Sequence, residues 1–452
     1  MPSHLDVDFA VVGAGLAGLT TARAILEACR SVAVLEARDR VGGRVLSQPI
    51  GDGQVVEMGG QWVGPTQDRM YALSQELGIE TFPTHDDGDE LALIGGKRYR
   101  YHGQMPRMNP LVLADFIQLV MRLERLVKQI PVERPWDAPR AREWDAQTFD
   151  TWLRKTAKTA KARSMLGFYM SGILAAECAD FSLLHALFYV RSATDFQTMA
   201  SIGGGAQQDR FVGGSQLVAT ALAERLGDVV KLEAPVNRVV QRNGYILVES
   251  ETLTVRAERV VIALPPTLAG RITYDPPLPS HRDQLMQRLP QGTVTKVNVV
   301  YDVPFWRDQG LKGFCWSPRL PVGAIMDNSP PDGSPGVLVG FLVGNHARSL
   351  ARESPAERRK VVLDCLTEYL GQRASAPHAY HELDWSAEQW TRGCYGAHFP
   401  PGAWTQYGPS LREPVGRLHW AGTETAPIWN GYMEGAVRSG ERAAKEVLLV
   451  TS

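Results

Sequence analysis

The sequence has no surplus of charge of either sign: 48 Lys and Arg stand against 49 Asp and Glu in 452 residues. Without a global field, a nucleic-acid or anionic-membrane partner is not expected, and partners must be sought at local sites. Cysteine is scarce. The five residues, Cys29, Cys178, Cys315, Cys365 and Cys394, form no C-x-x-C pair, and their odd count argues against a disulfide framework and for a reducing compartment, here expected to be the cytoplasm. No apolar run approaches the about 20 residues of a membrane helix. The opening "MPSHLDVDFAVV" carries Asp6 and Asp8 where an export signal would need basic residues, so a soluble protein without a membrane anchor is expected. A G-x-S-x-G nucleophile turn, internal repeats and low-complexity tails are absent as well. His378 and His381 form an H-x-x-H without a supporting cysteine or carboxylate, so both are read as surface residues and no metal is expected.

What is present is an ordinary globular composition, 44% hydrophobic, in a chain long enough for two lobes. Residues 8–13, "DFAVVG", predict a short buried strand, "LAGLTTARAILEA" from Leu16 a helix, and "SVAVLE" from Ser31 a second strand. Two such strands joined by a helix must run parallel. Several short β-rich runs fill residues 229–266, with Asn243-Gly244 as a hairpin turn. Residues 111–130 and much of 146–195 predict amphipathic helices packed on a core, with the basic run 154–163 as a solvated helix face. The Gly/Pro-rich stretches 203–214 and 328–336 are expected to connect lobes.

"GAGLAG" sets Gly13, Gly15 and Gly18 in G-x-G-x-x-G spacing. Gly13 suits the tight turn, Gly15 lets backbone approach a pyrophosphate, and Gly18 lets the helix pack on the sheet, while the helix N-terminus faces the negative charge. The motif follows a predicted strand, opens a helix, and is followed by Glu36 at the end of the second strand, where a carboxylate can accept ribose hydroxyls. Both NAD and FAD use this unit. The continuation "LEARDRVGGRV" adds Arg38, Gly43 and Arg44, a second glycine turn with cations.

From there the sequence resembles the flavin-dependent amine oxidases, in which E-A-x-x-R-x-G-G-R is an FAD signature. The resemblance continues through "EMGGQWVGPTQDR" (57–69), "RFVGGS" (210–215), "TVTKVNVVYDVPFW" (293–306) and the C-terminal blocks "GCYGAHFPPGAWTQYG" and "WAGTETAPIWNGYMEGAVRSGERAA", nearly the whole chain in order. Within that family the blocks look most like the monoamine oxidases. The resemblance implies an α/β fold, a two-lobed FAD-binding Rossmann-like flavoprotein of the glutathione-reductase type whose substrate lobe mixes helices with an antiparallel sheet. It implies a discontinuous FAD-binding domain (1–82, 210–290, 385–452) and a substrate-binding domain (83–209, 291–384).

The same resemblance implies site residues. Cys394 falls where covalent members bond the 8α-methyl of FAD, so an 8α-S-cysteinyl link is expected. Tyr395 and Tyr432 match the aromatic pair in front of the flavin, and Lys296 the lysine that reaches flavin N5 through a water. Gly59, Gly60, Gln61, Trp62, Val236, Trp385, Trp390, Gly422, Thr423, Glu424 and Met433 are implied cofactor contacts. Gly172, Ala200, Gln207, Ala324 and Phe341 are implied cavity residues. Ala324 lies near where diamine-specific relatives place an acid, so a wide, apolar cavity without that acid is expected. The implied reaction takes primary alkyl or arylalkyl amines with O2 and water to aldehyde, ammonia and hydrogen peroxide, and a homodimer is the family's habit. A polyamine or L-amino-acid oxidase would share the fold but need distal acids or an arginine. A non-catalytic flavin-bound interaction protein would have no use for Lys296 and both tyrosines. The C-terminal hydrophobic anchor of the membrane-bound mammalian members has no counterpart, so membrane attachment is not carried over.

Overall fold

A computed structural model describes residues 3–103 and 105–449. Its larger sheet forms where buried strands are apolar on both faces. Strand Ser3–Val12 is exposed along its first half and buried over Phe9–Val12, and it starts five residues earlier than the apolar run implied. The extra length is held by parallel pairing with Leu253–Ile262, from Ser3 opposite Leu253 to Val12 opposite Ile262. On its other side Phe9–Val12 pairs in parallel with Val32–Leu35, reached through helix Leu16–Glu27. The order across this sheet is Val230–Lys231, Val32–Leu35, Ser3–Val12, Leu253–Ile262, Ile246–Glu249, Arg238–Gln241, Thr273–Asp275, with Leu418–Trp420 also beside Leu253–Ile262. The connection from Ser3–Val12 goes to Val32–Leu35 on one side, while that from its parallel neighbour Leu253–Ile262 goes to Thr273–Asp275 on the other, so a crevice opens at a switch point between their carboxyl ends. The hairpin at Asn243-Gly244 joins antiparallel strands in which Gln241 faces Ile246.

The second sheet is mostly antiparallel, with seven strands in the order Ala379–Asp384, Val294–Tyr301, Gly336–Val343, Val322–Asp327, Leu311–Trp316, Asp89–Ile94, Lys97–Tyr101. Val294–Tyr301 is buried at all eight positions, which places Lys296 inside the protein. Helices packed beside this sheet build a large apolar cluster with Phe116, Leu119, Met165, Leu184, Phe188 and Trp404, to which the sheet adds Trp316. The predicted helix over 111–130 runs Pro110–Val127, with Asn109 accepting the Leu111 N–H at 2.9 Å as its N-cap. The basic run 154–163 is not one helix face. It breaks between Phe149–Thr156 and Ala160–Leu174, because the buried carboxylate of Asp115 accepts the Lys158 and Thr159 N–H groups and Thr159 caps the next helix.

The two Gly/Pro-rich stretches also differ from plain connections. Asp209–Phe211 is a strand between Trp62–Val63 and Thr81–Pro83, and Asn328 and Ser329 are buried. Both segments carry polar groups that bond inside the protein, which composition alone does not reveal. The C-terminal helix Met433–Leu449 closes on helix Leu16–Glu27, where a side chain at Gly440 would stand 2.4 Å from the Ala17 carbonyl oxygen. Among the described residues no helix is long and apolar enough to cross a membrane.

Candidate active site

One cavity of about 830 Å³ runs from the first glycine turn to the helical side of the second sheet. At its nucleotide end Gly13 has φ of +103°, open to glycine at little cost, and a side chain there would meet Ala263 O at 2.9 Å. Gly18 lies in the adjoining helix, where a Cβ would overlap Gly13 O at 1.9 Å, so its part is close packing and not the cavity wall. The face of Gly15 is open, with nothing nearer than Gly42 O at 4.0 Å. The second glycine turn abuts the first through the Gly42 N–H, which donates to Ala14 O at 2.9 Å. Glu36, 3% exposed, accepts the Ala14 N–H at 2.8 Å and the Arg38 N–H at 3.1 Å. Arg38 in turn donates to Glu388 and Thr391 Oγ1, both at 2.6 Å.

Farther along, Arg44 forms a fork with Glu424 at 2.6 and 3.0 Å and also donates to Tyr395 O at 2.9 Å. Burial works against both charges, yet the pairing prevails: Glu424 is held below the ordinary carboxylate range and Arg44 above its own. Glu424 lies behind the wall and orients Arg44, which faces the cavity. Gly43, Gly59, Gly60, Gln61, Trp62, Trp385, Trp390, Gly422, Thr423 and Met433 all contribute to the wall. Val236 does not. It is half-buried and packs against the core beneath the sheet; the chain near it reaches the site through backbone, the Ala234 N–H donating to Glu36 O at 2.8 Å.

Lys296 is 3% exposed and sits on the wall between Trp62 and Phe341, its Nζ 5.5 and 5.7 Å from their ring centres. It donates to Gly59 O at 2.8 Å and to Gln61 Oε1. Burial pushes its pKa down to about 7, with Glu57 opposing the shift and Arg210 adding to it. Glu57 is itself pushed up by burial, against the pull of Lys296 and hydrogen bonds from Ser215 and Ser47.

Cys394 lines the cavity with a free thiol that burial pushes up to about 12, despite the pull of Arg44. Its peptide bond to Tyr395 is cis. Tyr395 and Tyr432 line the same cavity, and burial raises both phenols so that they stay neutral. Each ring is fixed by neighbours. Phe341 meets Tyr395 edge-on at 6.3 Å, and Trp429 meets Tyr432 edge-on at 4.8 Å. Gly172, Ala200, Gln207, Ala324 and Phe341 line the chamber beyond them, together with Phe168, Tyr169 and Ile173.

Ala324 carries no acid, but other segments bring acids to the cavity. Asp86 and Glu90 are in its wall, and so is Lys312, which bonds Asp86 at 2.7 Å and Glu90 at 2.6 Å. Glu90 also accepts the Tyr101 hydroxyl at 2.5 Å. No local motif marks these residues; parallel pairing of Asp89–Ile94 with Leu311–Trp316 brings them together. Sequence reasoning also passed over Glu57, Arg210, Asn298 and Asn328, the buried polar groups behind Lys296. The signal was there in part: Arg210 and Glu57 belong to the quoted blocks, but nothing in the blocks says which way their side chains face.

Residues 16–448 match the family described as flavin containing amine oxidoreductases. A probable flavin-containing monoamine oxidase A of Dictyostelium discoideum is 38% identical over 443 residues, 97% of either chain. The flavin-containing amine oxidase B of Sus scrofa is 40% identical over 99% of this chain and 87% of its own. Among solved structures, wild-type putrescine oxidase bound to putrescine superposes with a TM-score of 0.96 at 38% identity, over 99% of this chain and all of that one. Cyclohexylamine oxidase from Brevibacterium oxydans does so at 0.95 and 32% identity, with the same coverage. The chain belongs to the flavin-containing amine oxidoreductase family. It is an FAD-dependent amine oxidase, similar over its length to the monoamine oxidases.

The residues present fit the cofactor. An open glycine face, a buried carboxylate after the second strand and cations at Arg38 and Arg44 line the same cavity as Lys296, Cys394 and the two tyrosines.

Proposed function

We propose that the protein oxidises primary alkyl or arylalkyl monoamines, with O2 and water, to aldehyde, ammonia and hydrogen peroxide. The observation that carries this reading is a single cavity on whose wall Lys296, Cys394, Tyr395 and Tyr432 stand together, continuous with the glycine cradle. Gly13, Gly15, Glu36 and Arg44 would hold FAD at its nucleotide end, and Cys394 would form the 8α-thioether. When bound, the flavin takes up the electrons released from the amine's α-carbon, and the protein supplies position, desolvation and electrostatics.

Tyr395 and Tyr432 would receive the amine between their faces. Neutral rings guide the nitrogen by their quadrupoles without trapping it as a tight ion pair, so it stays able to lose its proton. Lys296 would hold or release a proton beside the ring, and its low pKa puts both forms within reach near neutrality. In the cavity wall Lys312 pairs with both Asp86 and Glu90, so a second ammonium would have to compete with a resident cation, which favours monoamines over diamines. The five free cysteines support a reducing compartment such as the cytoplasm. The division into a discontinuous FAD domain and a substrate domain, and a dimeric assembly, belong to the same reading.

The test is anaerobic mixing with hexylamine, benzylamine, putrescine, spermine and leucine, followed by flavin absorbance. Bleaching fastest with hexylamine or benzylamine is expected. Faster bleaching by putrescine, spermine or leucine would move the assignment to the corresponding oxidase, and no bleaching at all would leave only a flavin-binding protein.

A further inference from the structure

Behind Lys296 lies a buried polar chain that has no part in the reaction as proposed. Its members Gln61, Asn298, Asn328 and Arg210 are 1%, 0%, 5% and 6% exposed. The polarity of the chain can be worked out from its ends. A guanidinium can only donate. Arg210 Nη1 donates to the Asn328 backbone oxygen at 2.9 Å and to its side chain at 2.8 Å, while Nη2 donates to Ser329 O. The side-chain atom of Asn328 that meets Arg210 is therefore oxygen. Gln61 meets that same oxygen at 2.6 Å, so it must do so with its NH2 group, which turns Oε1 toward Lys296. On the other arm the Asn328 NH2 donates to Asn298 Oδ1 at 2.9 Å, and the Asn298 NH2 donates to Glu57 O at 2.9 Å.

This chain runs from a group that can only donate to a backbone carbonyl that can only accept. Flipping any one amide sets two donors or two acceptors face to face in a buried place, where an unmade hydrogen bond is costly. We propose that Asn328, pinned by Arg210, is a positioning residue for Lys296: it holds Gln61 with its carbonyl oxygen facing the lysine nitrogen. Two N–H groups of Lys296 are then taken by Gln61 Oε1 and Gly59 O, and the remaining position of the nitrogen is left for the cavity it lines. The inference rests on the reading of Lys296 as the residue beside the flavin ring. Without Asn328, Gln61 loses its anchor and can present its NH2 to Lys296, which removes an acceptor from the ammonium and favours the neutral amine.

The charged and titratable groups acting on Lys296 are Glu57 from strand Gln54–Glu57, Arg210 from Asp209–Phe211 and Cys394. Asn328 is neutral, so replacing it leaves every one of these charges in place. The experiment is a carbon-13 NMR titration of the holoenzyme labelled at lysine Cε, with the Lys296 signal assigned by its loss in Lys296→Met. Asn328→Leu is expected to lower the Lys296 midpoint by about one pH unit, a tenfold change in proton affinity. Gln61→Met should lower it by a similar amount, the double variant no further, and Gln61→Glu should raise it. Should the Leu variant fail to fold, Asn328→Ala admits water, which can donate or accept, and the same fall is expected. A midpoint unmoved by the Asn328 replacement while Gln61→Met lowers it would overturn the proposal, because Gln61 would then hold its orientation unaided.

A second readout is the pH dependence of O2 reoxidation of photoreduced flavin, expected to shift with the NMR midpoint. Neither readout needs an amine. Failure of every amine to bleach the flavin would sink the substrate reading and leave the positioning of Lys296 standing, whereas an unmoved midpoint with normal bleaching would do the reverse.

Discussion

At the nucleotide end of the cavity Gly13, Gly15, Gly18 and Glu36 belong to one strand–turn–helix–strand unit, and each acts through local geometry. At the ring end Gln61, Arg210, Lys296, Asn328 and Cys394 come from five separate segments and meet only because two sheets and several loops converge. The first end depends on backbone shape; the second depends on buried polar and charged groups that must satisfy one another. Substitutions should therefore act differently at the two ends, mainly on cofactor binding at the first and on stability and proton chemistry at the second.

The largest effect is expected at the hinge between the ends. Arg44→Met strands Glu424 as an unpaired buried carboxylate and should destabilise the protein by about 3–5 kcal/mol, read from denaturant midpoints. Glu424 has a folded pKa below its unfolded value, so its contribution is present above the unfolded pKa and is lost as pH falls through the folded one. Stability that does not fall faster in acid for wild type than for Glu424→Gln would show that the pair is only a local contact.

Lys296→Met should slow flavin reoxidation by about 10²–10⁴-fold, the range for a positioned proton donor, while anaerobic reduction by amine changes far less. The same variant sharpens the contrast through linkage. With its folded pKa near 7 and an unfolded value of about 10.4, Lys296 binds more protons in the unfolded chain between those values. Stability should rise with pH across that window, by at most about 1.4 kcal/mol per unit, and the rise should vanish in Lys296→Met.

Smaller effects follow at the tyrosines. Tyr395→Ala or Tyr432→Ala should lower kcat/KM by roughly 3–30-fold, the worth of one desolvated aromatic–nitrogen contact. Cys394→Ala should change stability least. In acid precipitation the flavin of the wild type is expected in the pellet and that of Cys394→Ala in the supernatant; flavin in the supernatant for both would reduce Cys394 to a packed thiol.

Legibility follows the same division. The glycine turn, the parallel strands and Glu36 could be read because a dinucleotide cradle is a local device with fixed spacing. Lys296, Cys394 and the tyrosines could be marked only by resemblance, since a lysine in a strand or a tyrosine after a cysteine has no chemistry of its own until something packs against it. Asp86, Glu90 and Lys312 escaped altogether because strand pairing, not spacing, brings them into the cavity wall. Val236 shows the reverse limit: a matched position does not say whether side chain or backbone faces the site, and here the side chain packs on the core.

By itself, the sequence determined the parallel strand–helix–strand unit and its glycine cradle, because these rest on periodicity and on residues close along the chain, while the two-lobed fold class came from the resemblance of its blocks. Only the tertiary structure decided the polarity of the amide chain behind Lys296, the pairing of Arg44 with Glu424, and the pairing of two cavity acids with Lys312. Each of these depends on which donor faces which acceptor across segments far apart in sequence, and in a buried, low-dielectric interior that facing sets the charge state.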